Sequence, residues 1–472
     1  MESTISDCTT AIGDLITSGG DERTELLPQT GRNKYGLNPA DYSGLFNRGS
    51  CTSSPLNPFS EKIVRELLDH KLPREGYHAV RQEHDQRLKE LLNFPGEDKF
   101  DVFWGPSGSD LIYIPILFAG MLYPNRPLLH MLTCPEELGS GTKVGASGKY
   151  FMEYNQFGEA MPKGELIDPN LNLKVTHYAA RSKGGLINNH QEDIKDTIRD
   201  HPEYAKIGSL VIGSKSGIEN NVDVIDHIDE DMLWVVDLCQ FRNSKRLINK
   251  LLDRNCMIML TGSKFYQAPP FCGAMLIPKQ MTDRLRQADH MPDLTPYQRL
   301  FTTHDIPARL PRLRAAMRPF ENVGLLARWE AGIAEMEAFD QIAKEERKQL
   351  VRDWYCLITS EIKRRSAHFE LMPDQDQTNS SIISFRVKKN GEYINNGRLR
   401  EFFNDLVSAR YAGQLQGYDR IFIGQPVNYG DRSFIRVALG AYDIRQMLKM
   451  EQPFANEVAL LDLIEQKLIT WS

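Results

Sequence analysis

Residues 231–276 read DMLWVVDLCQFRNSKRLINKLLDRNCMIMLTGSKFYQAPPFCGAML, and they restrict the fold more than any other stretch of this 472-residue chain. Met232 to Val236 is a short apolar run between acids and a polar helix start, which predicts a strand buried on both faces of a parallel sheet. A helix is expected over Phe241–Arg254 and a second buried strand over Cys256–Leu260. This unit brings Asp237 and the turn Thr261-Gly262-Ser263-Lys264 to one edge of one sheet. That is the carboxyl edge, where open α/β proteins hold their ligands. For Asp237 taken alone, capping the helix that follows is the simpler role.

The lysine changes the weighing. An aldehyde cofactor such as pyridoxal 5′-phosphate (PLP) needs an amine for its aldehyde, a carboxylate to keep its pyridine nitrogen protonated, and small donors for its phosphate. Lys264, Asp237 and the hydroxyls of Thr261 and Ser263 supply one of each. The frame Asp-x-x-Gln (Asp237, Gln240), with a lysine in Ser/Thr-x-x-Lys 27 residues after the aspartate, at 264 against 237, resembles the aminotransferase class V branch of fold-type I PLP enzymes. Members of that branch usually carry His before the lysine, where this chain has Ser263.

Further text fits the same resemblance. Asp101–Trp104 reads as a strand and Leu111 onward as a buried helix, joined by Gly105-Pro106-Ser107-Gly108-Ser109-Asp110. A Gly/Ser turn that opens a helix offers backbone amides to an anion, and Ser107, Gly108 and Ser109 match the family's phosphate turn, with Asp110 where Glu is usual. Lys206–Ile212 is expected to deliver Gly213-Ser214-Lys215-Ser216-Gly217 to the same edge, Ser214 matching a position that meets the cofactor's ring oxygen. The glycine-rich run 139–148 has neither the GxxxxGK[ST] nor the GxGxxG spacing, so a flexible active-site loop is expected there instead of a nucleotide cradle, followed by a strand at Tyr150-Phe151-Met152. The residue that would stack on the cofactor ring is not evident, although Glu137 falls near its position. Arg436, inside the apolar run Phe434–Leu439, suits bidentate capture of a substrate carboxylate, and the resemblance implies that role too.

Strand–helix alternation over residues 99–277 predicts an α/β fold: a mostly parallel, mixed seven-stranded sheet with helices on both faces, followed by a smaller α+β C-terminal domain. The expected divisions are an irregular arm over 1–58, in which Ser50 to Ser53 could meet substrate, a large domain over 59–310, a connecting helix over 311–346 and the small domain over 347–472. A formal charge of −6 without basic blocks argues against nucleic acid and anionic membrane as partners. The longest apolar stretch, Leu111 to Tyr123, is too short for a bilayer. Seven scattered cysteines without CxxC spacing, no metal-ligand motif and no leader-like start point to a reduced, cytoplasmic protein.

The resemblance implies PLP as cofactor, an amino acid or amine as substrate, a Schiff base on Lys264 and a homodimer. Transamination, carbon–sulfur or other α/β-lyase chemistry and decarboxylation all start from the same linkage. A desulfurase of this branch needs an acceptor cysteine shortly before the carboxylate-binding arginine, and none occurs between Leu357 and Ser472. Aminotransfer therefore leads, with a lyase second and a decarboxylase third. A catalytically retired PLP fold and a nucleotide-binding α/β protein are the remaining alternatives.

Overall fold

Two β-sheets organise the chain in the computed structural model, which describes residues 12–49, 54–228, 230–429 and 432–471. The first contains β2 (Phe100–Gly105), β3 (Leu128–Thr133), β4 (Leu173–Tyr178), β5 (Ala205–Val211), β6 (Leu233–Asp237), β7 (Met257–Thr261) and β8 (Gly273–Pro278). Their order across the sheet is β2-β8-β7-β6-β5-β3-β4, parallel throughout except for β8, which runs against both neighbours. This is the mixed, mostly parallel seven-stranded sheet the alternation predicts.

Its central strands β6, β7 and β8 read as nearly continuous apolar text because both faces are covered. Val236, Ile258 and Leu260 pack into one core with Trp329 of the helix Val323–Asp340, and the alternate residues Val235, Met257 and Met259 pack with Ile114 and Leu117 of the helix Tyr113–Leu122 on the other side. Period two along each strand thus feeds two separate apolar layers. The helix after β6 runs over Lys245–Asp253 and is capped by Ser244, whose hydroxyl accepts from the Leu247 amide at 3.3 Å. Asp237 is therefore not that helix's cap.

The second sheet has β1 (Leu45–Arg48), β9 (Phe369–Leu371), β10 (Ile382–Lys389), β11 (Glu392–Tyr393), β12 (Arg420–Val427) and β13 (Phe434–Ala438). Its order is β1-β12-β13-β10-β11, with β9 also on β10. β1 belongs to the stretch expected to be an irregular arm, yet it pairs parallel with β12 from Leu45 opposite Arg420 to Arg48 opposite Ile423. The N-terminal segment is thereby built into the C-terminal sheet. Ser50 to Ser53 lie outside the described residues.

Three further expectations change. The glycine-rich run holds a helix, Ser140–Ala146, and its glycines serve close packing: a Cβ at Gly141 would sit 2.7 Å from Phe151 and one at Gly145 would sit 2.6 Å from Ile112. Tyr150, Phe151 and Met152 are buried but belong to no strand. The single connecting helix is broken into Pro311–Ala315, Val323–Asp340 and Lys344–Arg364. Pro319 keeps Arg318 from continuing the first piece, and Asn322 caps the second through the Leu325 amide at 2.9 Å. Among the described residues no helix is long and apolar enough to cross a membrane.

Candidate active site

Parallel strands end at a common edge, so the loops after β2, β3, β5, β6 and β7 converge there. They bring Ser107, Glu137, Lys215, Asp237 and Lys264 around one cavity of about 490 Å³. The second sheet closes it with Gln425 and Arg436, and the N-terminal segment adds Arg23 and Tyr35. Two larger hollows, of about 690 and 760 Å³, carry none of Asp237, Lys264 and Arg436. Of the residues singled out in the sequence, Ser107, Gly108, Ser109, Asp237, Gln240, Thr261, Ser263, Lys264 and Arg436 all line the first cavity.

One end is a cradle of hydroxyls. The Ser107 hydroxyl accepts from the Ser109 amide (3.2 Å) and from Arg23 Nη2 (3.0 Å), and donates to Asp110 Oδ2 (2.6 Å). Ser109 and Thr142 hydroxyls are 3.0 Å apart. Room for a ligand here depends on glycine: a Cβ at Gly108 would lie 2.7 Å from Cys239 Sγ, and one at Gly273 would lie 2.8 Å from the Ser107 carbonyl carbon. The turn is a single four-residue helical piece, Gly108–Leu111, interrupted at Ile112 before the longer helix begins. Arg23 is clamped by Asp21, with Nε at 2.8 Å from Oδ1, and lies between the rings of Phe151 and Phe271, 5.0 and 4.6 Å from their centroids. Burial would lower its pKa, but the Asp21 charge more than offsets that and holds it protonated. Burial, aided by the Asp21 charge, pushes the Asp110 carboxyl up to about 7.

Asp237 and Lys264 occupy the middle, both partly buried. Asp237 closes β6, and its Oδ1 accepts from the Cys239 amide at 2.8 Å, which fixes the carboxylate's direction. Thr261 Oγ1 donates to the Cys239 carbonyl at 3.0 Å and accepts from Ser263 Oγ at 3.4 Å, tying the two loops together. No hydrogen bond or ion pair engages the Lys264 ammonium among the described residues. Gln240 Oε1 accepts from Arg242 Nε at 3.3 Å. Arg242 continues to Ser381 Oγ (2.7 Å) and the Leu439 carbonyl (2.6 Å), linking the β6 loop to the second sheet. Burial, with the Arg436 charge adding to it, lowers this guanidinium to about 9.

Arg436 approaches from β13. It stands opposite Gly424 of β12, where any Cβ would collide with its side-chain stem, and its Nη1 donates to the Gln425 carbonyl at 3.1 Å. The missing side chain at 424 is what lets a guanidinium lie across the neighbouring strand. Glu137 is held by four donors: Ser214 Oγ (2.6 Å), the Ser216 amide (2.8 Å), Ser216 Oγ (2.6 Å) and the Tyr429 hydroxyl. Ser214 thus departs from its expected place. Its hydroxyl is spent on Glu137 and does not line the cavity, because a turn with positive φ at Gly213 and Gly217 swings it that way and leaves Lys215 facing inward.

Several lining residues escaped the sequence reading. Lys215 lay within a turn that was singled out, but no pattern distinguishes it from a solvated lysine. Arg23, Tyr35, Arg400 and Gln425 come from segments remote in the chain and leave no local signal.

No known protein-family model matches the chain, and no curated protein matches it. Solved structures do. The phosphoserine aminotransferase SerC of Cytophaga hutchinsonii is similar with a TM-score of 0.54 at 14% identity, over 89% of this chain and 98% of that one. Mouse CSAD gives 0.52 at 18% identity, over 89% and 84%. The pyridoxamine-pyruvate aminotransferase of Mesorhizobium loti gives 0.52 at 11% identity, over 90% and 96%. The chain has the fold these proteins share.

Proposed function

We propose that this protein is a PLP-dependent enzyme that works at the α-carbon of an amino acid, with amino-group transfer as its reaction. One observation carries the reading: Asp237 and Lys264, on adjacent strand ends, face a single cavity whose far end is a cradle of hydroxyls beside a guanidinium. The donor set fits the group. Ser107, Ser109, Thr142 and Arg23 would hold the phosphate, and the glycines at 108 and 273 leave the room it needs. When bound, PLP supplies an electron sink for the pair left behind when a bond to the α-carbon breaks.

The chain's own residues do the rest. Lys264 would hold the aldehyde and would carry a proton to and from the substrate's α-carbon. Asp237, fixed by the Cys239 amide, would keep a proton on the pyridine nitrogen. Gln240, whose Oε1 accepts from Arg242 Nε, would stand nearest the ring oxygen in place of Ser214, which is committed to Glu137. Arg436 would take the α-carboxylate and so orient the α-carbon.

Sulfur transfer is disfavoured by chemistry in the cavity as well as by the sequence. The two lining cysteines, Cys239 and Cys272, are buried, and desolvation pushes the Cys272 thiol up to about 12 and the Cys239 thiol well above its usual value. Neither is a ready acceptor for sulfur. The other α/β-lyase reactions and decarboxylation are the alternatives within the same cofactor chemistry, and a binding protein without turnover is the alternative outside it. An amino-acid panel given to the PLP-loaded protein, assayed for keto acid, ammonia and carbon dioxide, separates them. Keto acid without ammonia or carbon dioxide is the expected result. Ammonia or carbon dioxide as the product, or a protein that takes up no PLP, refutes it. A homodimer belongs to the same proposal, and light scattering checks it.

A further inference from the structure

The cavity carries more positive charge than a cofactor phosphate and one carboxylate would use. Arg23, Lys34, Lys215, Lys264, Arg400 and Arg436 line it, against the acids Glu137 and Asp237. Both acids are already engaged, Glu137 by three hydroxyls and an amide and Asp237 by the Cys239 amide. Arg23 is matched by Asp21. In the reading above, Lys264 serves the aldehyde and Arg436 the α-carboxylate.

Lys34, Lys215 and Arg400 are then left over; Lys34 and Arg400 are exposed to solvent, which leaves Lys215 as the one that needs a partner. It is partly buried, it faces inward, and its ammonium makes one hydrogen bond among the described residues, to the Glu136 carbonyl at 3.0 Å. An ammonium has three donors and a full charge, so one neutral acceptor leaves it poorly compensated in a desolvated wall. Burial, with the Arg436 and Lys264 charges adding to it, brings its pKa down to about 8 in spite of Glu137. A ligand with one anion on Arg436 and another on Lys215 would relieve that repulsion at both ends.

We infer that Lys215 receives a second anionic group carried on the substrate's side chain, so that the protein selects amino acids bearing a side-chain carboxylate, phosphate or sulfonate. This rests on the proposed function for the α-carboxylate's place at Arg436. Glutamine, asparagine and serine lack the second charge and leave Lys215 as it stands. Discrimination of this kind is strong, because binding the neutral analogue would leave a buried charge unpaired.

The test titrates the PLP-loaded wild type with glutamate against glutamine, aspartate against asparagine, and phosphoserine and cysteate against serine, reading dissociation constants from the change in cofactor absorbance. At least one anionic acid is expected to bind about thirty-fold more tightly than its neutral counterpart. That ratio should fall to near unity in Lys215→Met and persist in Lys215→Arg. No anionic preference in the wild type, or an undiminished one in Lys215→Met, overturns the inference, and the wild-type comparison decides it even if a variant does not fold. Cofactor attachment to Lys264 is scored separately by borohydride reduction. If attachment fails, the proposed function falls, and calorimetric titration of wild type and Lys215→Met with phosphoserine and glutamate still decides whether Lys215 binds the second anion.

Discussion

The two ends of the cavity differ in how their charges are balanced. At the cradle, Arg23 has Asp21, Ser107 has Asp110, and Ser109 has Thr142. In the middle and toward the second sheet, the ammonium groups of Lys264 and Lys215 have no carboxylate in ion-pair range among the described residues. Balanced groups hold a shape before any ligand arrives, whereas unbalanced ones wait for a ligand to complete them. Substitutions at the cradle should therefore cost stability together with cofactor affinity. Substitutions at the lysines should cost function and leave stability nearly intact.

The sharpest contrast comes from Lys264→Ala, which should lower turnover about a thousandfold or more through loss of the proton carrier while the melting temperature stays within a few degrees. Near-normal turnover breaks the contrast. Asp237→Ala should weaken PLP binding and turnover by on the order of 3 kcal/mol, the cost of removing one partner of a desolvated charge pair; a PLP titration with unchanged affinity removes Asp237 from the site. Gly424→Ala forces Arg436 aside, so KM for the amino acid should rise with a stability loss of about 1–3 kcal/mol. An unchanged KM would mean that Arg436 does not hold the carboxylate.

Arg23→Gln acts on the balanced end. It removes a charge-assisted hydrogen bond to Ser107 and leaves Asp21 beside Asp110, so PLP affinity and melting temperature should fall together, by about 1–2 kcal/mol. A loss of affinity without any loss of stability would erase the distinction between the two ends. The smallest effect is on pH. The Lys215 ammonium titrates near 8, facing Glu137, Arg436, Lys264 and Lys143. Its charge is present below that value and lost above it, so affinity for a dianionic amino acid should decline as pH rises through about 8, and more steeply than for a neutral one. Equal pH profiles for the two would exclude Lys215 as the second anion's partner.

Legibility in the sequence follows the same division. Strands buried on both faces write themselves as apolar runs, so β6, β7 and the edge residues Asp237 and Lys264 could be read from residues 231–276 alone. β1 could not, because a four-residue strand pairs through its backbone and has no periodicity to show. The run at 139–148 read as a loop because its glycines fit no nucleotide-cradle spacing, yet Gly141 and Gly145 admit Phe151 and Ile112, and that packing outweighs the helix-breaking propensity of glycine. Ser214 and Lys215 were separable only once the turn's backbone fixed which of the two faces inward. Arg23 depends on contacts made across the whole fold, with nothing local to announce it.

The most direct measurement is borohydride reduction of the PLP-loaded protein followed by peptide mass spectrometry. The expected result is a yellow protein, bleached by the reagent, with the cofactor's mass retained on the peptide containing Lys264. A colourless protein, or label on Lys215 in place of Lys264, would contradict the assignment of the amine at the end of β7.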